Sequence, residues 1–185
     1  MGNKIFIITI LCFYSCGVIQ PKWIRIDTGG KQAVASAYHL SKIPFEYNAL
    51  IDTALVYLAE NEYVITNRKG EIIEKKHTYH DFIRFSSDGI AFSSNHIIDK
   101  PIESYFNILE KGQFCYYTVD GSLIKIELFN HDTRMFEYWY GKIQENGDIL
   151  FYKRKGRPWG TYKSKLNYYY KKTPAKLTTR IVFPE

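Results

Sequence analysis

The sequence predicts an all-β protein, an antiparallel up-and-down meander closed into a barrel, with one short helix near its N-terminus. Three observations support this fold class. The chain carries 16 Tyr, 12 Phe and 3 Trp, and aromatic side chains favour strands. Its apolar runs are separated by Gly-containing turns at Lys69-Gly70, Asp88-Gly89, Asp120-Gly121 and Asn146-Gly147. The runs follow one another closely, and closing such a meander into a barrel leaves no exposed strand edge.

The N-terminal part of the domain contains the first strand and the only predicted helix. Residues 23–27 alternate apolar and polar side chains, as a strand does. Residues 31–41 place Val34 and Tyr38 on one face of a helix, and Pro44 makes continuation of that helix unfavourable.

The rest of the chain reads as a series of hairpins. Residues 53–66 fit a buried helix or a strand, and the β-branched and aromatic residues at 63–66 favour strands. Three hairpins follow, and they join residues 81–85 to 90–94, 113–118 to 123–129, and 135–143 to 149–154. Residues 162–170 and 177–183 are predicted as the closing strands. In 123–129, Ile124, Ile126 and Leu128 share one face while Lys125 and Glu127 face away.

The first fifteen residues have the composition of an export signal. Lys4 supplies positive charge, and residues 5–14 are an uncharged apolar run of ten residues, which is too short to span a bilayer. The run ends at Ser15-Cys16, which resembles the lipobox of bacterial lipoproteins. This resemblance implies that Cys16 carries lipid and becomes the mature N-terminus. An ordinary signal peptide cleaved elsewhere, or an uncleaved anchor, is the alternative.

The expected organisation is a signal peptide over 1–15, a tether over 16–22 and a single barrel domain over 23–185. Of the three cysteines, Cys12 leaves with the leader and Cys16 is lipidated, so Cys115 cannot form an internal disulfide. Because Cys115 lies within an apolar strand-like stretch, we expect a buried core thiol rather than a nucleophile.

An early Trp strand followed by aromatic hairpins such as FSSDGIAF and ENGDILFYKR resembles the small lipocalin-like lipoproteins of Gram-negative bacteria. The lipocalin Gly-x-Trp motif is half present, because Trp23 is there and Pro21 occupies the Gly position. The resemblance implies that Trp23 packs under a late Arg, for which Arg180 is the candidate. It also implies a barrel that holds a small hydrophobic ligand and an outer-membrane anchor, with the domain facing the periplasm or exposed at the surface.

Aromatic side chains are the candidate ligand-binding residues. Alternation places Phe136, Tyr138 and Tyr140 on one face of a strand and Trp139 on the other, so rings lie on both sides of the sheet. The candidates are Phe136, Tyr138, Tyr140, Phe151 and Trp159. These rings line a barrel interior, form a carbohydrate-binding platform, or simply pack in the core.

Charge and motifs exclude several functions. The net charge is +6, and lysines concentrate with rings in the C-terminal third, a mixture that suits nucleic acid. The inferred envelope location argues against nucleic acid, and it leaves lipid phosphate, glycan or a partner protein, or a plain solvated surface. No nucleophile-elbow, zinc-protease or P-loop spacing occurs. Glu127 and Glu137 are expected to face solvent, and His77 and His80 would share a metal only if their segment turned.

The sequence therefore predicts a non-enzymatic envelope lipoprotein with no metal and no cofactor. It either binds a small hydrophobic ligand or serves envelope structure. The alternative is an interaction module whose aromatic and basic face contacts glycan, lipid headgroups or a partner protein.

Overall fold

The computed structural model describes residues 22–25, 31–66, 72–96, 103–130, 133–157 and 163–184. These residues form ten strands and four short 3-10 helices. The strands are β1 (Trp23–Arg25), β2 (Lys31–Ala33), β3 (Val56–Thr66), β4 (Ile72–Phe85), β5 (Ile90–His96), β6 (Gln113–Asp120), β7 (Leu123–Asn130), β8 (Met135–Ile143), β9 (Ile149–Arg157) and β10 (Lys163–Thr173). The 3-10 helices span Ala35–Ala37, Leu40–Lys42, Glu103–Asn107 and Leu109–Lys111.

Strands β3 to β10 form a closed antiparallel barrel in which each strand pairs with its neighbour along the chain and β10 pairs with β3. The predicted all-β up-and-down barrel is confirmed. Strands β1 and β2 pair only with each other, as a two-stranded sheet outside the barrel. No helix in the described part of the chain is long and apolar enough to cross a bilayer.

The barrel has two different ends. Three predicted tight turns join β4 to β5, β6 to β7 and β8 to β9, and Gly89, Gly121 and Gly147 in these turns have φ values of 85°, 55° and 85°. We call this the tight-turn end. Strands β3, β5, β7 and β9 finish at the opposite end, which we call the loop end. The predicted turn at Lys69-Gly70 lies outside the described residues.

The predicted α-helix over residues 31–41 does not form. Residues 31–33 pair with β1, and two 3-10 helices follow, separated by extended backbone at Tyr38 (ψ 140°). This backbone lets both Tyr38 and Leu40 turn into the protein, where both are buried. Tertiary burial of two large side chains outweighs the weak helical preference of a short segment.

The predicted closing strand over residues 177–183 is also wrong. The last barrel strand ends at Thr173, and residues 174–184 are irregular. Ile181 and Phe183 are nevertheless buried, against the outer wall of the barrel. Ile181 and Phe183 alternate with exposed residues, as in a strand. The segment cannot pair with this edge of β10, because β3 already pairs there.

The N-terminal and C-terminal segments meet in an apolar cluster on the outside of the barrel. The Tyr38 ring lies 4.9 Å from Phe136 and 5.5 Å from Phe183, measured between centroids, and Phe183 stacks on Tyr116 at 5.2 Å. We call this the outer cluster. It covers one wall of the barrel.

Two buried charged residues on the barrel wall hold these segments in place. The Leu40 N–H donates a 2.7 Å hydrogen bond to Oε2 of Glu127, which is 0 % exposed. Arg84 donates from Nη1 to the Phe106 carbonyl at 2.7 Å and from Nη2 to the Thr179 carbonyl. The expectation that Glu127 faces solvent is therefore wrong, because the N-terminal segment covers it.

Candidate ligand-binding interior of the barrel

The barrel interior is identified by a cluster of buried side chains drawn from all eight barrel strands. They occupy alternate positions, as the period of a strand requires. The large members include Tyr57, Phe85, Tyr117, Phe151 and Tyr170. Ile124, Ile126 and Leu128 of β7 point into this cluster, as their alternation predicted. Cys115 is also a member, and burial raises the pKa of its thiol to about 12, which confirms the predicted core cysteine.

Aromatic rings fill the interior at the tight-turn end, and residues 43–55 cover this end of the barrel. Ile51 is fully buried in the interior cluster. The Phe45 ring packs against Tyr117 with centroids 5.1 Å apart, and a Cβ on Gly89 would lie 2.6 Å from Phe45 Cδ2. Side chains of the protein itself therefore occupy this end of the interior.

The phenol groups at this end are satisfied within the protein. The Tyr117 hydroxyl donates a 2.7 Å hydrogen bond to the Ser86 carbonyl, and the Asp52 N–H donates a 3.0 Å bond to the Tyr57 hydroxyl. Burial is the main reason that the pKa values of Tyr57 and Tyr117 are raised. Both rings are therefore neutral core residues.

The half of the interior nearer the loop end is different, because its side chains are polar and half-buried. Cross-strand partners share a face of the sheet, so Asp81 faces inward with Ala59, and Ser93 faces inward with Ile83. Gln113 pairs with Ser93 in the same way. All three polar residues are only partly buried, whereas Ala59 and Ile83 are each 1 % exposed. Water therefore reaches this half of the interior.

A buried carboxylate stands in this polar half. Glu137 is 1 % exposed and pairs across the sheet with the interior residue Leu128. Asn130 Nδ2 donates to its Oε1 at 2.7 Å, and Trp139 Nε1 donates to its Oε2 at 3.2 Å. Such donors are what a buried carboxylate requires. The expectation that Glu137 faces solvent is wrong, since β8 points it into the barrel.

Trp139 forms an aromatic wall beside Glu137. Its ring packs on Phe151 at 5.7 Å and on Tyr168 at 5.5 Å, between centroids, and both Trp139 and Tyr168 are only partly buried. Arg154 pairs with Trp139 across the sheet and thus lies on the interior face. The loop half of the interior therefore offers ring surface together with Asp81, Glu137 and Arg154.

The structure does not bring the five candidate residues together in one site. Phe151 is buried inside the barrel, and Phe136 is buried outside it in the outer cluster. Tyr138 and Tyr140 lie on the outer wall beside lysines, and Trp159 lies outside the described residues. Trp139, Arg154 and Asp81 were not among the candidates, although alternation had already placed Trp139 opposite Tyr138 and Tyr140.

The other sequence-based expectations about sites are resolved only in part. His77 and His80 both lie within β4, so the segment between them does not turn. Across the described ranges, no group of three or more His, Cys, Asp or Glu side chains is arranged to hold a metal ion. Arg180 is exposed on the irregular C-terminal segment. Cys16, the signal peptide and the Trp23 side chain lie outside the described part of the structure.

Comparison of the chain with protein-family models, with curated proteins and with solved structures found no match. A function for this protein must therefore be argued from its own residues.

Proposed function

We propose that this protein is a non-enzymatic envelope lipoprotein that binds a small amphipathic molecule in the loop half of its barrel. The observation that carries the proposal is the division of the interior along its axis. Rings fill the tight-turn end, whereas the loop half presents Asp81, Glu137 and Arg154 beside the partly buried rings of Trp139 and Tyr168. The interior of an eight-stranded barrel is either filled by its own side chains or holds one small ligand.

The chemistry of the loop half defines the class of ligand. Trp139 and Tyr168 provide a flat apolar surface for a ring or a short alkyl chain. Arg154 supplies a cation on the same face, and an anionic group on the ligand would form a charge-assisted hydrogen bond with it. A purely hydrophobic ligand would desolvate the partly buried Asp81 and Arg154, so the proposal differs from the hydrophobic ligand that the sequence predicted.

The ligand proposal is tested with 8-anilinonaphthalene-1-sulfonate, which joins aromatic rings to an anionic group. We expect the full chain to bind it, and we expect Arg154→Gln to weaken binding about tenfold, the value of one charge-assisted hydrogen bond. Lys142→Gln is the matched control, because it removes the same charge from an exposed position on the barrel wall. Equal affinity in the two variants would place the dye elsewhere and reject the interior site. Near-ultraviolet circular dichroism verifies that each variant is folded.

The envelope location rests on Cys16 and the apolar leader that precedes it. We expect Cys16→Ala to abolish fatty-acid labelling in a Gram-negative host and to release the protein from the membrane fraction. Cys12→Ala is the control, because that residue leaves with the signal peptide. Unchanged labelling in the Cys16 variant would refute the lipoprotein part of the proposal and leave the interior site standing.

A further inference from the structure

The outer wall formed by β7, β8, β9 and β10 carries a patch of lysine and tyrosine side chains that the interior site does not use. We call it the lysine–tyrosine face, and its members are Lys125, Tyr138, Tyr140, Lys153, Lys155 and Lys165. Four of these residues form one row across the four strands, because each is the cross-strand partner of the next. In order they are Lys125, Tyr140, Lys153 and Lys165. Neighbouring strands lie about 4.8 Å apart, so the row concentrates three cations within roughly 15 Å.

Like charges directly face each other on this wall. Lys153 pairs with Lys165 across β9 and β10. Like charges in direct cross-strand register destabilise a sheet. Glu127 is the only acidic residue among the described outward positions of these four strands, and it is buried beneath Leu40.

The tyrosines of the face are held in a specific arrangement with the lysines. Lys125 Nζ lies 4.1 Å from the Tyr138 ring centroid, and Lys153 Nζ lies 5.0 Å from that of Tyr140. An ammonium group therefore covers one face of each ring. Rings covered in this way are poor stacking platforms for sugars or bases. The groups that the face presents are ammonium groups and phenolic hydroxyls.

We propose that the lysine–tyrosine face binds the phosphates of an anionic phospholipid surface. Lysine ammonium groups pair with phosphate oxygens, and phenols suit the boundary between headgroup and water. Burial, and secondarily the neighbouring Tyr152, raises the pKa of Tyr140, so its hydroxyl stays protonated and donates to phosphate. The inference does not depend on the interior ligand site.

The test is co-sedimentation of the mature Cys16→Ser chain, which begins at residue 16 and carries neither leader nor lipid, with phosphatidylcholine vesicles that contain either no phosphatidylglycerol or 30 mol % of it. We expect the phosphatidylglycerol to strengthen binding. The triple variant Lys153→Gln, Lys155→Gln, Lys165→Gln should lose about a hundredfold of the partition coefficient, since each lysine near an anionic surface contributes about fivefold. Raising the ionic strength should have a similar effect.

The matched control is Lys22→Gln, Lys42→Gln, Lys176→Gln, which lowers the net charge equally at positions away from the face. The proposal predicts less than a threefold change in this control. Equal losses in the two triple variants would show attraction by net charge alone and overturn the proposal. Tighter binding to heparin than to the phosphatidylglycerol vesicles at equal charge concentration would also overturn it, because the face would then be a glycan-binding surface. Thermal denaturation verifies that both variants are folded.

Discussion

The backbone N–H of Leu40 donates a 2.7 Å hydrogen bond to Oε2 of Glu127, so the N-terminal segment is fastened to the barrel through a fully buried carboxylate. We expect Glu127→Leu to lower the free energy of unfolding by about 2–3 kcal/mol, because the Leu40 N–H loses its acceptor. Glu127→Gln should lose less, since its amide oxygen still accepts. Urea denaturation measures the free energy of unfolding of both variants. Glu110→Leu, at an exposed position, is the control. A Leu40 amide that exchanges with deuterium no faster in Glu127→Leu would contradict this role.

Arg84 holds the C-terminal segment against the barrel in a similar way, because its guanidinium donates hydrogen bonds to the carbonyls of Phe106 and Thr179. Burial lowers the pKa of its guanidinium but does not remove the charge at neutral pH. Replacement by Met should cost about 3 kcal/mol of unfolding free energy, because two carbonyls lose a charged donor. Arg180→Met, on the exposed side of the same segment, should stay within about 0.5 kcal/mol. Similar losses in both variants would show that Arg84 has no special part in holding this segment.

The Gly89 turn tolerates no side chain, for two reasons. Its φ of +85° is strained for other residues, and an added Cβ would meet the Phe45 ring at 2.6 Å. We expect Gly89→Ala to destabilise the protein by about 3 kcal/mol. Gly121 also has positive φ, at +55°, but has no atom within 4 Å of the added Cβ. Gly121→Ala should therefore cost only about 1 kcal/mol. Equal melting temperatures for the two variants would mean that Phe45 does not close the barrel end.

The Cys115 thiol should be inert while the barrel is folded. It is 1 % exposed, its Sγ lies 3.4 Å from the Ala91 carbonyl oxygen, and burial raises its pKa to about 12. At pH 8, iodoacetamide should label Cys115 at least about a thousandfold more slowly than it labels glutathione, since thiolate is the reactive form. In 8 M urea the two rates should converge. Peptide-resolved mass spectrometry separates Cys115 from Cys12 and Cys16, and fast labelling in the native protein would reveal opening of the barrel.

The Asp148 carboxylate should make stability depend on pH in the acid range. Partial burial alone would raise its pKa, but hydrogen bonds from the Lys172 N–H, Tyr169 and Asn146 outweigh burial, so the pKa lies below the usual 3.8. The folded state therefore gains stability above pH 4 and loses it as the pH falls through the lowered value. Asp148→Asn should cost roughly 1 kcal/mol at pH 7. The difference in urea midpoint between the natural protein and Asp148→Asn should shrink as the pH falls below 4, and a difference that stays constant as the pH falls would contradict this.

The sequence predicts the barrel strands well because local chemistry decides them. Asp88-Gly89, Asp120-Gly121 and Asn146-Gly147 need positive φ, and each of these turns joins the expected strands. Alternation also indicates which residues of β7 face inward. The segment at 177–183 shows the limit of this reasoning. Alternation indicates that one face of the segment is buried. It does not indicate whether another strand has a free edge with which the segment can pair.

The candidate interior site is harder to predict, because it depends on which face of each strand turns inward. Phe136-Glu-Tyr-Trp-Tyr140 has rings on both faces, so hydropathy cannot choose between them. The outer cluster resolves the choice by covering Phe136, which leaves Glu137 and Trp139 inside. That cover comes from Tyr38 and Phe183, which are remote in sequence. Distant contacts of this kind leave no local pattern.

The pairing of β3 with β10 bears on when the barrel can form. Strand β3 begins at Val56, and its second partner ends at Thr173, near the end of the chain. The β3–β4 hairpin can assemble as soon as it is synthesised, but ring closure must wait until β10 has emerged. Contacts between such distant segments make folding slow. The incomplete barrel thus has two unpaired strand edges until β10 is synthesised, which is the interval in which a chaperone that binds unfolded chains would protect it.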